Sequence, residues 1–394
     1  VIPSFSFSGN PRIIFGAGTI AEVPAIAEKF GKRVLLVTGG KSFVSSGYWA
    51  TLTAAFEERS IDRFHVTVSG EPSPKLVDSA AAEYRGKDIE AVIAVGGGSV
   101  IDAGKAISAM LPQTGSVFDY LEGVGTGKKH DGRKVPFIAV PTTAGTGSEA
   151  TKNAVLSRVG EDGFKKSLRH DNLVPDYAVI DPELGLSCPA DVTASCGMDA
   201  FTQLLESYVS IKSSPLTDAL AVSGMELVNA SLVEVCTTSA GSLECRSNMA
   251  YGALLSGITL ANAGLGVVHG LASTIGGLYP IPHGVICGVL LGPSARITIE
   301  ALRKSDLSGA ASLKKYARMG FLISGVHDDD TAHGCDLLVR KLAEWTKTLK
   351  LPLLSGYGIK RGDIESIAVK AGNGNNPVKL GKEEIVEILR EVIM

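Results

Sequence analysis

The stretch that most restricts the fold is residues 89–110, IEAVIAVGGGSVIDAGKAISAM. Its first part, Ile89–Val95, is nearly all apolar and rich in β-branched side chains, the pattern of a strand buried on both faces of a parallel sheet. Gly96-Gly97-Gly98 interrupts the run, and a helix is expected to begin near Ser99. Strand, glycine turn and helix in that order make half of a βαβ unit. The glycines let main-chain N–H groups approach an anion, and the helix N-terminus adds unpaired donors and the positive end of its dipole. The turn reads as a pyrophosphate cradle, with Ser99 and Asp102 at capping-box spacing. It is not a P-loop, because five residues rather than four separate Gly98 from Gly104-Lys105 and Ala106 replaces the Ser or Thr. Nor is it G-x-G-x-x-G, since Ile101 stands in the third glycine's place.

Around this stretch the first half alternates short apolar runs with amphipathic ones: Arg33–Val37, a helix near Tyr48–Glu58, then Phe64–Val68, Lys75–Tyr84, Val135–Val140 and Tyr177–Ile180. Alternation of this kind predicts an α/β domain, a parallel sheet flanked by helices, over residues 1–184. From 185 to 394 strand signals fade and apolar spacings of three and four take over, as at Ala200, Leu204, Leu205, Tyr208 and Val209, which predicts an all-α domain. Gly276-Gly277, Pro280, Pro282, Gly292-Pro293 and Gly356–Gly358 are expected to separate its helices.

Composition narrows the function classes. With 38 Lys+Arg against 41 Asp+Glu and no basic run, phosphate neutralisation along a nucleic acid is not expected. No stretch approaches 18 uninterrupted apolar residues and the first residues lack a signal-peptide pattern, so a cytoplasmic protein without membrane partners is expected. Six cysteines without a C-x-x-C pair suit reduced, buried thiols rather than disulfides.

A second loop, Pro141-Thr142-Thr143-Ala144-Gly145-Thr146-Gly147, follows the strand ending at Val140, where small hydroxyls can meet phosphate or ribose oxygens. Phe15-Gly16-Ala17-Gly18-Thr19-Ile20-Ala21 only imitates a dinucleotide fingerprint, because the next strand ends in Thr38-Gly39-Gly40-Lys41-Ser42 without the acid that would hold a ribose. In the second half, His269 and His283 are the histidines set in Gly-rich apolar sequence, 14 residues apart with Gly and Pro breaks between them. Asp199 and Gln203 share a face of a predicted helix, with Glu206 and Ser207 nearby. One carboxylate and two imidazoles are a reasonable shell for iron(II) or zinc with an open position. His65, His130, His170, His327 and His333 are expected to face solvent.

GGGSVIDAGK, PTTAGTGSEAT, GMDA, VHG and PHG, in this order, resemble the iron-containing (group III) alcohol dehydrogenase family over essentially the whole chain. The resemblance implies a dehydroquinate-synthase-like architecture and an NAD(P)-dependent alcohol dehydrogenase or aldehyde reductase that works as a homodimer or larger assembly. It implies that Gly97, Gly98 and Ser99, with Asp102 behind them, meet the pyrophosphate, and that Thr142, Thr143 and Thr146 line the nicotinamide ribose. Ser73, Asn153, Lys165 and Leu184 match further cofactor positions. Asp199, His269 and His283 match metal ligands and the catalytic centre.

Three departures from the family pattern matter. Where NAD-using relatives often carry an Asp, this chain has Gly39, followed by Gly40, Lys41 and Ser42, so NADP(H) is expected over NAD(H). Gln203 stands where the family has a fourth metal-binding histidine and is the candidate fourth ligand beside Asp199, His269 and His283, although an amide oxygen is a harder, weaker donor than imidazole. Ser273 stands where many relatives have a proton-relaying histidine. The alternatives left open are a metal-free carbonyl reductase like maleylacetate reductase and a non-redox, dehydroquinate-synthase-like lyase. In the favoured reading a divalent metal polarises an aldehyde or alcohol oxygen while hydride passes to or from the nicotinamide.

Overall fold

The computed structural model describes residues 2–305 and 309–393, which fall into two units. One comprises residues 8–158 and 165–188, the other residues 2–7, 159–164 and 189–393 with the exception of 306–308.

The first unit is an α/β domain. In chain order it contains β1 (Arg12–Phe15), α1 (Val23–Glu28), β2 (Arg33–Gly39), α2 (Gly47–Glu58), β3 (Asp62–Val68), α3 (Pro74–Tyr84), β4 (Ala91–Gly96) and α4 (Gly98–Met110). There follow β5 (Phe137–Pro141), β6 (Asn153–Arg158), β7 (Phe164–Arg169) and β8 (Tyr177–Ile180). Six strands form a parallel sheet in the order β1-β8-β5-β4-β2-β3. From the β2–β4 pair the chain runs outward to β3 on one side and to β5 on the other, so the sheet has its topological switch point there. Val34–Val37, Ala91–Val95 and Phe137–Val140 are completely buried, as their unbroken apolar runs require of strands covered on both faces.

Three expectations for this unit need correction. The β6–β7 hairpin was not anticipated, because adjacent Lys165 and Lys166 in FKKSLR break the polar–apolar alternation and the ribbon it forms with NAVLSR is only half buried. Ser99 does not cap α4: the N-cap is Gly97 and no side-chain capping bond forms, since Asp102 is drawn instead to the Ser148 hydroxyl. His130 does not face solvent but is buried, with Nε2 3.2 Å from the Ala109 carbonyl and Nδ1 accepting from Gly132 N–H. His65 is exposed, as expected, and its ring lies 2.8 Å from the Thr38 hydroxyl.

The second unit is helical: α5 (Ala190–Val209), α6 (Pro215–Thr237), α7 (Leu243–Ala263), α8 (Val267–Leu278), α9 (His283–Lys304), α10 (Ala310–Ser324), α11 (Thr331–Thr348), α12 (Ile364–Lys370) and α13 (Lys382–Ile393). Ser214 and Thr217 form a reciprocal capping box for α6 with Pro215 at its first turn, and Ser242 and Asp330 cap α7 and α11. Gly264 at φ 69° ends α7, and the chain turns through about 100° into α8. Gly292-Pro293 does not separate helices as expected but lies inside α9, whose packing on α5, α8 and α11 outweighs the lost hydrogen bond. α6 and α9 are long and apolar enough to cross a membrane by length and composition, yet 78% of the apolar window of α9 is buried in this unit.

Candidate metal centre and nucleotide loops

The loops after β2, β4 and β5 leave the sheet side by side. Thr38 pairs with Val95 and Gly96 with Pro141, so Gly39, Gly97 and Thr142 stand at one carboxyl edge, at the switch point. Thr142 N–H donates to Gly96 O at 2.9 Å, tying two of the loops together. A Cβ on Gly98 would lie 2.6 Å from both Thr146 Oγ1 and Cγ2, and one on Gly97 would lie 3.3 Å from Thr143 Oγ1. Gly97, Gly98, Ser99, Thr142, Thr143 and Thr146 are all partly exposed, and Lys41 and Ser42 are exposed beyond Gly39 and Gly40. Ser73 caps α3 by accepting from Leu76 N–H, Asn153 opens β6, Lys165 pairs with Glu71 at 3.1 Å, and Leu184 belongs to the sheet's core.

Beneath these loops lies an arrangement that sequence reasoning missed. Lys105, fully buried in α4, donates to the carbonyls of Ser148, Thr151 and Asn153 at 2.7–2.9 Å and to the Thr151 hydroxyl at 3.0 Å. It pins the segment that follows the Thr-rich loop. Burial pushes Lys105 down to about 8, against the pull of Asp102 and Glu149. Burial likewise pushes Glu149 up to about 7, against its own backbone N–H and Lys105. A lone lysine in the apolar run AGKAISAM was the available signal.

In the helical unit, α5 presents Asp199, Gln203 and Glu206 on one face, α8 supplies His269, and α9 supplies His283 at its first residue and Cys287 one turn on. One donor atom from each of Asp199, His269, His283 and Cys287 lies within 4.8 Å of every other. His269 Nε2 is 3.3 Å and His283 Nε2 3.8 Å from Asp199 Oδ1, while Cys287 Sγ is 3.7 Å from His269 Nε2 and 3.6 Å from His283 Nε2. Asp199 Oδ1 is buried and accepts no hydrogen bond.

Gln203 sits beside this cluster. Its amide N–H donates to Asp199 Oδ2 at 3.2 Å, and its Oε1 lies 2.9 Å from the Ser256 hydroxyl. Glu206 is an outer partner: Oε2 accepts from His269 Nδ1 at 2.7 Å and Oε1 from Val268 N–H at 2.7 Å. With Nδ1–H committed to Glu206, the His269 Nε2 lone pair faces the cluster. Ser273 lies one turn beyond His269 on α8. Sequence reasoning missed Cys287 as a member, although its i+4 spacing from His283 on a helix opened by Pro282 would have put the two on one face.

Electrostatically the cluster is short of cationic charge. Burial opposes ionisation of Asp199, but the His283 and His269 imidazoles hold its carboxyl at about 2. Burial alone would depress His269, yet Cys287, Asp199 and Glu206 raise it well above the ordinary histidine range. A divalent cation fits this donor set, meeting the unbonded Asp199 oxygen and two imidazole nitrogens with a carboxylate behind one of them.

Residues 10–182 match the family model described as iron-containing alcohol dehydrogenase, and residues 193–393 match the C-terminal model of the same family. The 1,3-propanediol dehydrogenase of Citrobacter freundii is 33% identical over 99% of this chain and 97% of its own length. Alcohol dehydrogenase 4 of Saccharomyces cerevisiae is 31% identical over 97% and 96%. A crystal structure of a 1,3-propanediol oxidoreductase superposes with a TM-score of 0.87 at 30% identity, covering 99% of this chain and all of that one. The chain belongs to the iron-containing alcohol dehydrogenase family. It is an NAD(P)-dependent alcohol dehydrogenase acting on CH–OH donors, and the family implies a divalent metal and a nicotinamide cofactor.

Proposed function

We propose that the enzyme transfers hydride between NADP(H) and an aldehyde/alcohol pair at one divalent metal, iron(II) or zinc, held by Asp199, His269 and His283. The observation that carries this reading is the convergence of those three side chains around an Asp199 oxygen that is buried and accepts no hydrogen bond. When bound, the metal supplies Lewis-acid polarisation of the carbonyl oxygen, and the nicotinamide supplies or takes the hydride.

The chain's own residues account for the rest. Glu206 holds His269 in the tautomer that leaves Nε2 free, and Gln203 steadies Asp199 through Oδ2. The N–H groups of Gly97, Gly98 and Ser99 hold the pyrophosphate, and Thr142, Thr143 and Thr146 line the ribose beside them. Ser73, Asn153, Lys165 and Leu184 bound the remainder of the cofactor site. Exposed Lys41 and Ser42, with no carboxylate at Gly39, favour a 2′-phosphate. Ser273 does not exchange a proton near neutral pH as an imidazole does, so water or the cofactor ribose hydroxyl carries the proton to and from the alcohol oxygen.

The test is elemental analysis of untagged, chelator-free protein alongside NADPH-dependent aldehyde reduction. About one metal per chain, lost in step with activity, is expected. Full activity in metal-free protein overturns the reading in favour of hydrogen-bond catalysis by the imidazoles. A tenfold lower KM for NADH than for NADPH overturns the cofactor preference.

A further inference from the structure

We infer that Cys287 is a metal ligand, its thiolate completing a four-donor shell with Asp199 Oδ1, His269 Nε2 and His283 Nε2. The inference rests on the metal-dependent reading above and goes beyond it, since nothing in the family pattern calls for sulfur at this position.

The distances carry the argument. Zinc takes nitrogen at about 2.0–2.1 Å, oxygen at about 2.0–2.2 Å and sulfur at about 2.3 Å in tetrahedral sites, so neighbouring donors in such a shell are about 3.4 Å apart for N and O and about 3.6 Å apart for N and S. Here the N to O separations are 3.3 and 3.8 Å, and the S to N separations 3.7 and 3.6 Å. An ordinary buried cysteine packs as a small hydrophobe. Cys287 instead aims its sulfur at the two ring nitrogens that face Asp199. It is completely buried on α9, so its position is set by that helix's packing.

The same geometry explains how the chain does without the family's fourth histidine. Gln203 gives its amide N–H to Asp199 Oδ2 and thereby orients the carboxylate, leaving the fourth corner to be filled from α9. On binding, the thiol releases its proton to solvent as the sulfur–metal bond forms, and no oxidant or reductant is consumed.

The test uses the whole chain loaded with one cobalt(II) per molecule. A sulfur-to-cobalt charge-transfer band in the near ultraviolet is expected in the wild type and in Gln203→Ala. In Cys287→Ala the band should disappear while cobalt's visible bands remain, with the metal Kd raised at least tenfold. X-ray absorption of the zinc-loaded wild type should show one sulfur at about 2.3 Å, a readout that needs no variant to fold. Stoichiometric binding without a sulfur neighbour overturns the assignment of Cys287 and leaves the Asp199, His269 and His283 site standing. Failure to bind cobalt or zinc at all overturns the metal-dependent reading, and the ligand assignment with it.

Discussion

Glu149→Gln should change how the stability of the α/β domain depends on pH. Glu149 is buried, and its carboxyl is pushed up to about 7 from an ordinary 4.5. Between those values the folded chain holds a proton that the unfolded chain has released, so this residue's contribution to stability falls as pH rises from about 4.5 to 7. The displacement of roughly 2.5 units corresponds to about 3 kcal/mol at 1.36 kcal/mol per unit. For a unit of about 175 residues, 2–4 °C per kcal/mol makes this about 6–12 °C in Tm. A neutral glutamine removes that titration, while Asp102 remains to balance Lys105. Below pH about 5 the wild type should therefore melt higher relative to the variant than it does near pH 8. Calorimetric scans across that range, read as the difference between the two proteins, cancel the opposing titrations of His65 and His130, whose pKa values burial lowers. A difference that stays constant from pH 5 to pH 8 would refute the reasoning, because it would mean that Glu149 ionises in the folded chain as easily as in the unfolded one.

Glu206→Gln should weaken the metal Kd by about 10–100-fold in chelator competition, since the amide puts an NH2 donor where an oxygen now accepts from His269 Nδ1 or Val268 N–H. Gly98→Ala should raise the NADPH Kd at least tenfold in a fluorescence titration with metal content unchanged, because the new Cβ would sit 2.6 Å from the Thr146 side chain. Gly284→Ala would drive a Cβ into the Ser195 carbonyl of α5 and push the first turn of α9, with His283, away from Asp199. That variant should lose metal and melt lower, whereas Gly292→Ala on the same helix meets nothing closer than 3.8 Å and should retain both.

What could be read from the sequence depended on whether a local pattern settled the matter. Ile89–Val95 is apolar without alternation, and a strand of that kind is stable only in the middle of a covered sheet, so the parallel architecture and the loop after it were legible together. FKKSLR and NAVLSR offered no such signal, since a half-buried ribbon with two adjacent lysines looks like a charged loop. Pro293 misled for the opposite reason: its local cost is real, but α9 packs against several helices and the tertiary term is larger. His130 was misplaced because an imidazole between a carbonyl and an N–H group is satisfied by main chain from two separate segments.

The metal cluster shows the same division at the scale of single atoms. Asp199, His269 and His283 were legible because acids and imidazoles in glycine-rich apolar sequence are unusual enough to stand out. Cys287 was not, because a cysteine in GVICGVLL has the composition of an ordinary core position, and only the helix that begins at His283 turns an interval of four residues into one face. Gln203 drew attention as a substitution for imidazole, and in the fold its consequence runs through Asp199. An amide at that point of α5 is short enough to reach the carboxylate of its own helix, and with its N–H on Oδ2 it leaves Oδ1 as the oxygen that faces both imidazoles. On the ligand assignment proposed for Cys287, the exchange of histidine for glutamine and the cysteine one turn into α9 are parts of one arrangement, in which an outer hydrogen bond from α5 stands in for a ligand and α9 supplies the donor.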